Sequence, residues 1–186
     1  MTKRIAAVTI VIILAVLHGQ SLNAAPAQPV NPRNFLSDST TCLLERRATA
    51  LEIIAACTRL IDSARPDDNV FMLSDAYNER GRAHAGLHHQ NEAMENFATA
   101  ILLDPDNADA HFNRGSIYLD RKNYALAIKD FDAAVDGNPM DALALFDRGM
   151  AKFRMGNKNG AETDFKAAIA LDPRFEEARA RLAPAP

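Results

Sequence analysis

Residues 108–141 read ADAHFNRGSIYLDRKNYALAIKDFDAAVDGNPMD, and the same frame fits the 34 residues on either side. Laid out at that interval, Gly81, Gly115 and Gly149 coincide, as do Ala93, Ala127 and Ala161. So do Phe97, Phe131 and Phe165, then Ala100, Ala134 and Ala168, then Pro105, Pro139 and Pro173. Five kinds of residue keeping one period three times specify a stack of like units. A unit of that length is a helical hairpin that buries its apolar face only against its neighbours.

The local signals inside the frame agree with the long period. Asp109 to Leu119 carries apolar residues at helical spacing around Gly115, Lys122 to Tyr124 makes a turn, and Ala125 to Val135 forms a second helix. Asn123 and Asn157 stand where a side-chain oxygen caps a second helix, and Asn107 and Asp141 where one caps the next first helix. Gly156 fits the left-handed position that ends a first helix. Asp104-Pro105, Asn138-Pro139 and Asp172-Pro173 stop the second helices, because proline cannot continue a helix and disfavours helical angles in the residue before it.

With these residues in these places, the chain resembles the tetratricopeptide repeat family over residues 74–175. The resemblance implies an all-α fold, a right-handed α-solenoid of antiparallel helix pairs, with units at 74–107, 108–141 and 142–175. The physical reading is close packing. Glycine on the first helix and alanine on the second let two backbones approach, and the phenylalanine fills the space beside them. Two family positions drift. The bulky aromatic near the start of the first helix is Tyr77 but then His111 and Leu145, and the tyrosine one turn after the glycine survives only as Tyr118, with His84 and Lys152 elsewhere.

The flanks are read from their own chemistry. Thr49-Ala50-Leu51-Glu52 is a capping box before an apolar helix reaching about Ile61, so residues 38–73 read as a degenerate partial unit. Residues 176–186 read as a capping helix and tail, with Glu176 and Glu177 in its first turn and Arg179 and Arg181 in its last, as the helix dipole favours. Pro26, Pro29 and Pro32 make 25–37 an extended linker. Residues 1–24 have the order of a secretory signal peptide: Lys3 and Arg4, an apolar run from Ile5 to Leu17, then small Ala24 and Ala25. A helix of that run spans about 20 Å, short of a hydrocarbon core of about 30 Å, so no stable membrane span is expected after cleavage, which follows Ala24 or, as second choice, Ala27; an uncleaved membrane anchor is the rival reading. The expected destination is export, in the manner of small bacterial periplasmic members of the family.

Composition narrows the function further. A net charge of -3 gives no basic footprint for nucleic acid, and the absence of Trp with 6% aromatics argues against an aromatic-lined ligand cup. Cys42 and Cys57 in an exported chain suggest a disulfide, provided the chain reverses near 46–48 to bring them together. His84, His88 and His89 form the one histidine cluster, read as a packing residue and two turn residues rather than a metal site. No glycine-rich phosphate loop or nucleophile motif is present, so no enzyme, metal or cofactor is expected. Arg80, Arg114 and Arg148 precede the repeated glycines, while Asn96, Asp130 and Asp164 precede the repeated phenylalanines. These are expected to pair as a ladder of arginine–carboxylate contacts between helices, each contributing at most about 1 kcal/mol if exposed, with a ligand-binding arginine row as the alternative.

Family members bind partners on the concave face made by their first helices. Carried onto this sequence, the resemblance assigns that face to Asn78, Arg82, Phe112, Asn113, Phe146, Met150 and Phe153, with Asp109 and Asp120 making its start acidic. Some members grip a partner's C-terminal carboxylate with Lys and Asn on this face. Asn113 is the one such Asn here and no Lys stands in those places, so that mode is not expected. The expected function is a scaffold holding a peptide or helix of another envelope or secreted protein. The alternative is a self-associating envelope component, a homo-oligomer without a foreign ligand.

Overall fold

The computed structural model describes residues 32–45, 47–65 and 68–182. Among these it is all-helical, with nine helices and no strand. The expected signal peptide of residues 1–24 lies outside the described residues. No helix among the described residues is long and apolar enough to cross a membrane.

The helices divide into two bodies, one ending at Pro105 and one beginning at Asp106. The first holds α1 (Pro32–Leu43), α2 (Ala50–Asp62), α3 (Val70–Gly86) and α4 (Gln90–Leu103). Each of these helices packs on the next. The second holds α5 (Ala108–Asp120), α6 (Tyr124–Gly137), α7 (Ala142–Arg154), α8 (Lys158–Leu171) and α9 (Glu176–Leu182). There α5 pairs with α6, α7 with α8, and α9 closes on α8, while α5 and α7 also touch.

Helix ends form where the side chains can satisfy them. Thr49 and Glu52 build the complete capping box that opens α2. Asn107 accepts from the Ala110 amide, Asp141 from those of Leu143 and Ala144, and Asn157 from that of Gly160. Asn123 departs from the expectation and makes no side-chain cap. The turn between paired helices takes one left-handed residue in each repeat: Gly156 at φ 84°, but His88 at 62° and Lys122 at 61°. Only glycine enters that region without a Cβ penalty, so the turn imposes the angle on two residues that do not favour it.

Two boundaries differ from the sequence reading. The helix α1 begins at Pro32, inside the segment 25–37 expected to be extended, because proline at a helix's first turn forfeits no hydrogen bond. The helix α3 begins at Val70, four residues before the first repeat was expected to start. Leu73, unlike Asn107 and Asp141 in the same place of later repeats, offers no cap, and Asn69 caps the helix instead by accepting from the Phe71 amide.

Cys42 and Cys57 form a disulfide, with their Cα atoms 4.9 Å apart and both residues buried. The reversal between α1 and α2 that this bond needs is present. The bond closes a 15-residue separation, which constrains the unfolded chain by about 3 kcal/mol. Around it, Ala56, Leu60 and Ala76 make the core that ties the partial unit to α3.

The core of each repeat is a phenylalanine. Phe97, Phe131 and Phe165 are buried, with the repeated alanines Ala93, Ala127 and Ala161 beside them in sequence and equally enclosed. The glycines face these rings and the Cβ of the residue before each. A Cβ placed on Gly81 would meet the Phe97 ring at 2.6 Å, on Gly115 the Phe131 ring at 3.0 Å, and on Gly149 the Phe165 ring at 2.7 Å. Each glycine is therefore the clearance through which a ring sixteen residues later lies against the first helix. Gly149→Ala is expected to destabilise the protein by about 1–3 kcal/mol despite alanine's better helix propensity. In Gly149→Ala/Phe165→Leu the cost should be smaller than the sum of the single variants, as measured by urea unfolding.

Candidate functional site

Three arginines on the first helices meet the second helices of their own repeats. Arg114 grips Asp130 with two hydrogen bonds, Nε to Oδ2 at 2.8 Å and Nη2 to Oδ1 at 2.7 Å. Arg148 grips Asp164 in the same fork, at 3.1 and 2.7 Å, and adds a bond from Nη1 to Asp132 at 2.9 Å. The expected ladder between helices is present, and Asp130 and Asp164 are each 2% exposed, so the bound of an exposed pair does not apply to it. Second side chains reinforce it: His111 Nδ1 lies 3.2 Å from Asp130, and Lys152 Nζ lies 2.8 Å from Asp164. These were the positions where the aromatic pattern of the first helix drifts, and the drift supplies partners for buried carboxylates. Burial alone would raise the Asp130 carboxyl, but the hydrogen bonds and charges of Arg114 and His111 outweigh it and hold it below the usual range. In the first repeat the partner is neutral, with Arg80 Nε donating to Asn96 Oδ1 at 2.8 Å.

The expected binding face is built differently in the two bodies. In the first, Asn78 is 3% exposed and so is not open to a partner, while Arg82 is exposed and bonded to Glu79 on its own helix. In the second, α5 and α7 lie side by side and bring their residues together. Phe112 is half-buried, with its ring centroid 5.9 Å from that of Phe131. Phe146 is likewise half-buried, 5.5 Å from Phe165 and 4.9 Å from Phe175, and Met150 packs into the same cluster. Phe112 packs on one core cluster and Phe146 and Met150 on another, so none of the three is a free anchor. Asn113 is half-buried, and Phe153 is 41% exposed and stands clear of the core clusters.

Family models for the tetratricopeptide repeat match residues 78–142 and 142–179. Residues 78–179 are tetratricopeptide repeats. The solved structure of residues 41 to the end of MamA from Desulfovibrio magneticus RS-1 has a TM-score of 0.66 at 22% identity, covering 81% of this chain and 81% of that one. This likeness shows the shared fold. The second tetratricopeptide domain of human RPAP3, in complex with the HSP70 peptide SGPTIEEVD, has a TM-score of 0.58 at 27% identity, covering 61% of this chain and 95% of that one. The first such domain of Spaghetti (RPAP3), bound to the HSP90 peptide SRMEEVD, has a TM-score of 0.57 at 28% identity, covering 59% and 86%. No curated protein sequence matches the chain.

One residue of the tetratricopeptide face carries chemistry that the sequence did not signal. Burial, with the charges of Asp120 and Asp141, raises the Asp147 carboxyl to about 6. The sequence held a hint in the three aspartates, but only the approach of α5 to α7 brings Asp120 and Asp147 together. The face is thus acidic across both repeats of this body rather than only at its start.

Two measurements follow from these charges. Arg114→Met, which leaves Asp130 buried without its fork, is expected to cost about 3 kcal/mol, as read by urea unfolding. Asp130→Asn, which copies the Arg80–Asn96 pair of the first repeat, should cost about half as much. For Asp147, the folded state holds a proton up to about pH 6, whereas the unfolded carboxyl releases it near 3.8. Its contribution to stability therefore falls as pH rises between those values and levels off above them. Asp147→Asn should be more stable than the parent at about pH 7.5, and the difference should shrink toward about pH 4.5.

Proposed function

We propose that this chain is an exported tetratricopeptide scaffold that holds a segment of another envelope or secreted protein against its first-helix face. The observation that carries the reading is the α5/α7 face, where α5 carries Phe112 and α7 carries Phe146, Met150 and exposed Phe153 at helical spacing. Exposed aromatic residues are the kind of anchor that dominates interface energies. Asp109, Asp120 and Asp147 set the sign of the partner: a segment that pairs apolar residues with Lys or Arg. The peptides named with the two RPAP3 domains end in the acidic EEVD, which this face would repel. The Arg ladder, turned into the repeats and paired there, serves the fold and not the partner. Export rests on the charged, apolar and small-residue order at the start of the chain, and the Cys42–Cys57 bond suits an oxidising compartment such as the bacterial periplasm. Nothing in the face calls for catalytic chemistry, and the reading is of a binding protein.

The test is photo-crosslinking in cells that express the full chain, with a benzophenone residue at Asn113 or Phe153 and, as control, at exposed Lys166. The expected result is one envelope-protein adduct from the two face positions, absent at Lys166 and lost when Arg154 is retained but Phe153 is made Asp in the Asn113 probe strain. The mature chain should begin at Ala25. Equal labelling from Lys166 would contradict the face. An adduct of the chain with itself, together with a mass that grows with concentration in light scattering, would favour the self-associating reading instead.

A further inference from the structure

The three repeats are internal controls for one another, and the first breaks their charge rule. In the second and third repeats the side-on fork of the arginine, Nε and Nη2, is filled by both oxygens of a buried aspartate. In the first, Asn96 stands in the aspartate's place and offers one oxygen to Arg80 Nε, while its amide group turns away to donate to the Glu92 carbonyl at 2.7 Å. Arg80 Nη1 donates to Thr58 Oγ1 at 3.2 Å. Arg80 Nη2, the atom that meets a carboxylate in the other two repeats, has no hydrogen-bond partner among the described residues, and no ion pair to Arg80 is found among them.

These groups line a cavity of about 180 Å³ together with Tyr77, His84, Glu92, Glu95 and Thr99. The Arg80 guanidinium lies over the Tyr77 ring, 5.1 Å from its centroid, which fixes its plane. His84 Nδ1 is buried and has no hydrogen-bond partner among the described residues. A buried polar atom without a partner costs about 1–3 kcal/mol, so it stands out as a place where something else completes the site. Burial, and then the charge of Arg80, hold the His84 imidazole below its usual range, leaving it neutral and able to donate or accept. Opposite these groups Glu92 and Glu95 are exposed. The 3.6-residue period puts Tyr77, Arg80 and His84 on the side of α3 opposite Asn78 and Arg82, so this cavity is distinct from the partner face.

We propose that this cavity is a binding site for a small zwitterion of the α-amino acid class. The ligand's carboxylate takes Arg80 Nη2 and His84 Nδ1, beside the Asn96 oxygen that already holds Arg80 Nε. Its ammonium group lies toward Glu92 and Glu95, whose charges would disfavour a simple anion. The site is independent of the scaffold reading and survives its failure.

The experiment titrates glycine, acetate and methylammonium separately, at constant ionic strength, into the full disulfide-bonded chain. It follows the Arg80 side-chain N–H and the His84 ring signals by NMR. Glycine is expected to give a saturable shift at both residues, and acetate a weaker one. Asn96→Asp, which supplies the missing carboxylate from within, should weaken glycine binding about tenfold or more while the chain keeps its fold. Glu92→Gln/Glu95→Gln should bring glycine down to the level of acetate. No saturable shift with any probe, or unchanged glycine binding in Asn96→Asp, would overturn the site. Acetate binding as tightly as glycine would overturn the assignment to a zwitterion.

Discussion

The contact between each repeated glycine and the phenylalanine sixteen residues later is the constraint on which the repeats depend. A hairpin of two helices has one narrow seam in which to bury an aromatic ring, and the ring occupies it only if the facing helix presents no side chain there. Phe97, Phe131 and Phe165 are accordingly among the largest fully buried groups, and a methyl on the glycines opposite would stand only 2.6 to 3.0 Å from the rings. Fixing the seam fixes the neighbours. The residue before each phenylalanine lands beside the arginine before each glycine, so the charge ladder is a geometric consequence of the packing. In the second body, Phe131 shares a cluster with Ala127 and Ala151, which links one repeat to the next.

Because the packing repeats, the places where the chemistry does not repeat carry the information. Asp130 and Asp164 are buried carboxylates held by forked arginines, an arrangement that costs desolvation and returns a single allowed pairing. Asn96 removes the charge at the equivalent point and leaves Arg80 half-satisfied. The face carried by α5 and α7 breaks the pattern in another way. There, aspartates from successive repeats crowd together, and one of them gives way by holding its proton to about pH 6.

Most of the fold was legible because its determinants are local or periodic. The prolines that end second helices, the capping box at Thr49 and the caps at Asn107, Asp141 and Asn157 act within four residues of themselves. The Cys42–Cys57 bond needed only a reversal that the cap already marked. What was not legible depends on three-dimensional approach. His88 and Lys122 take left-handed angles because the turn geometry repeats, not because their side chains ask for it. Asn123 has the right residue type for a cap and makes no such bond. Of the residues assigned to the partner face, Asn78 is buried, and Phe112, Phe146 and Met150 serve the core as well. Helical position placed them on a face without saying how deep in it they would lie. The raised Asp147 carboxyl needed the proximity of Asp120, on the neighbouring first helix, which no spacing in the sequence gives.

The phenylalanine seam organises each repeat, and within the second body it joins one repeat to the next. Native-state hydrogen exchange on Phe131→Leu tests it most directly. The largest loss of protection should fall in α5 and α6, with a smaller loss in α7 through Ala151 and little change in the disulfide-bonded helices α1 and α2. Loss confined to α6, or spread evenly over the chain, would contradict it.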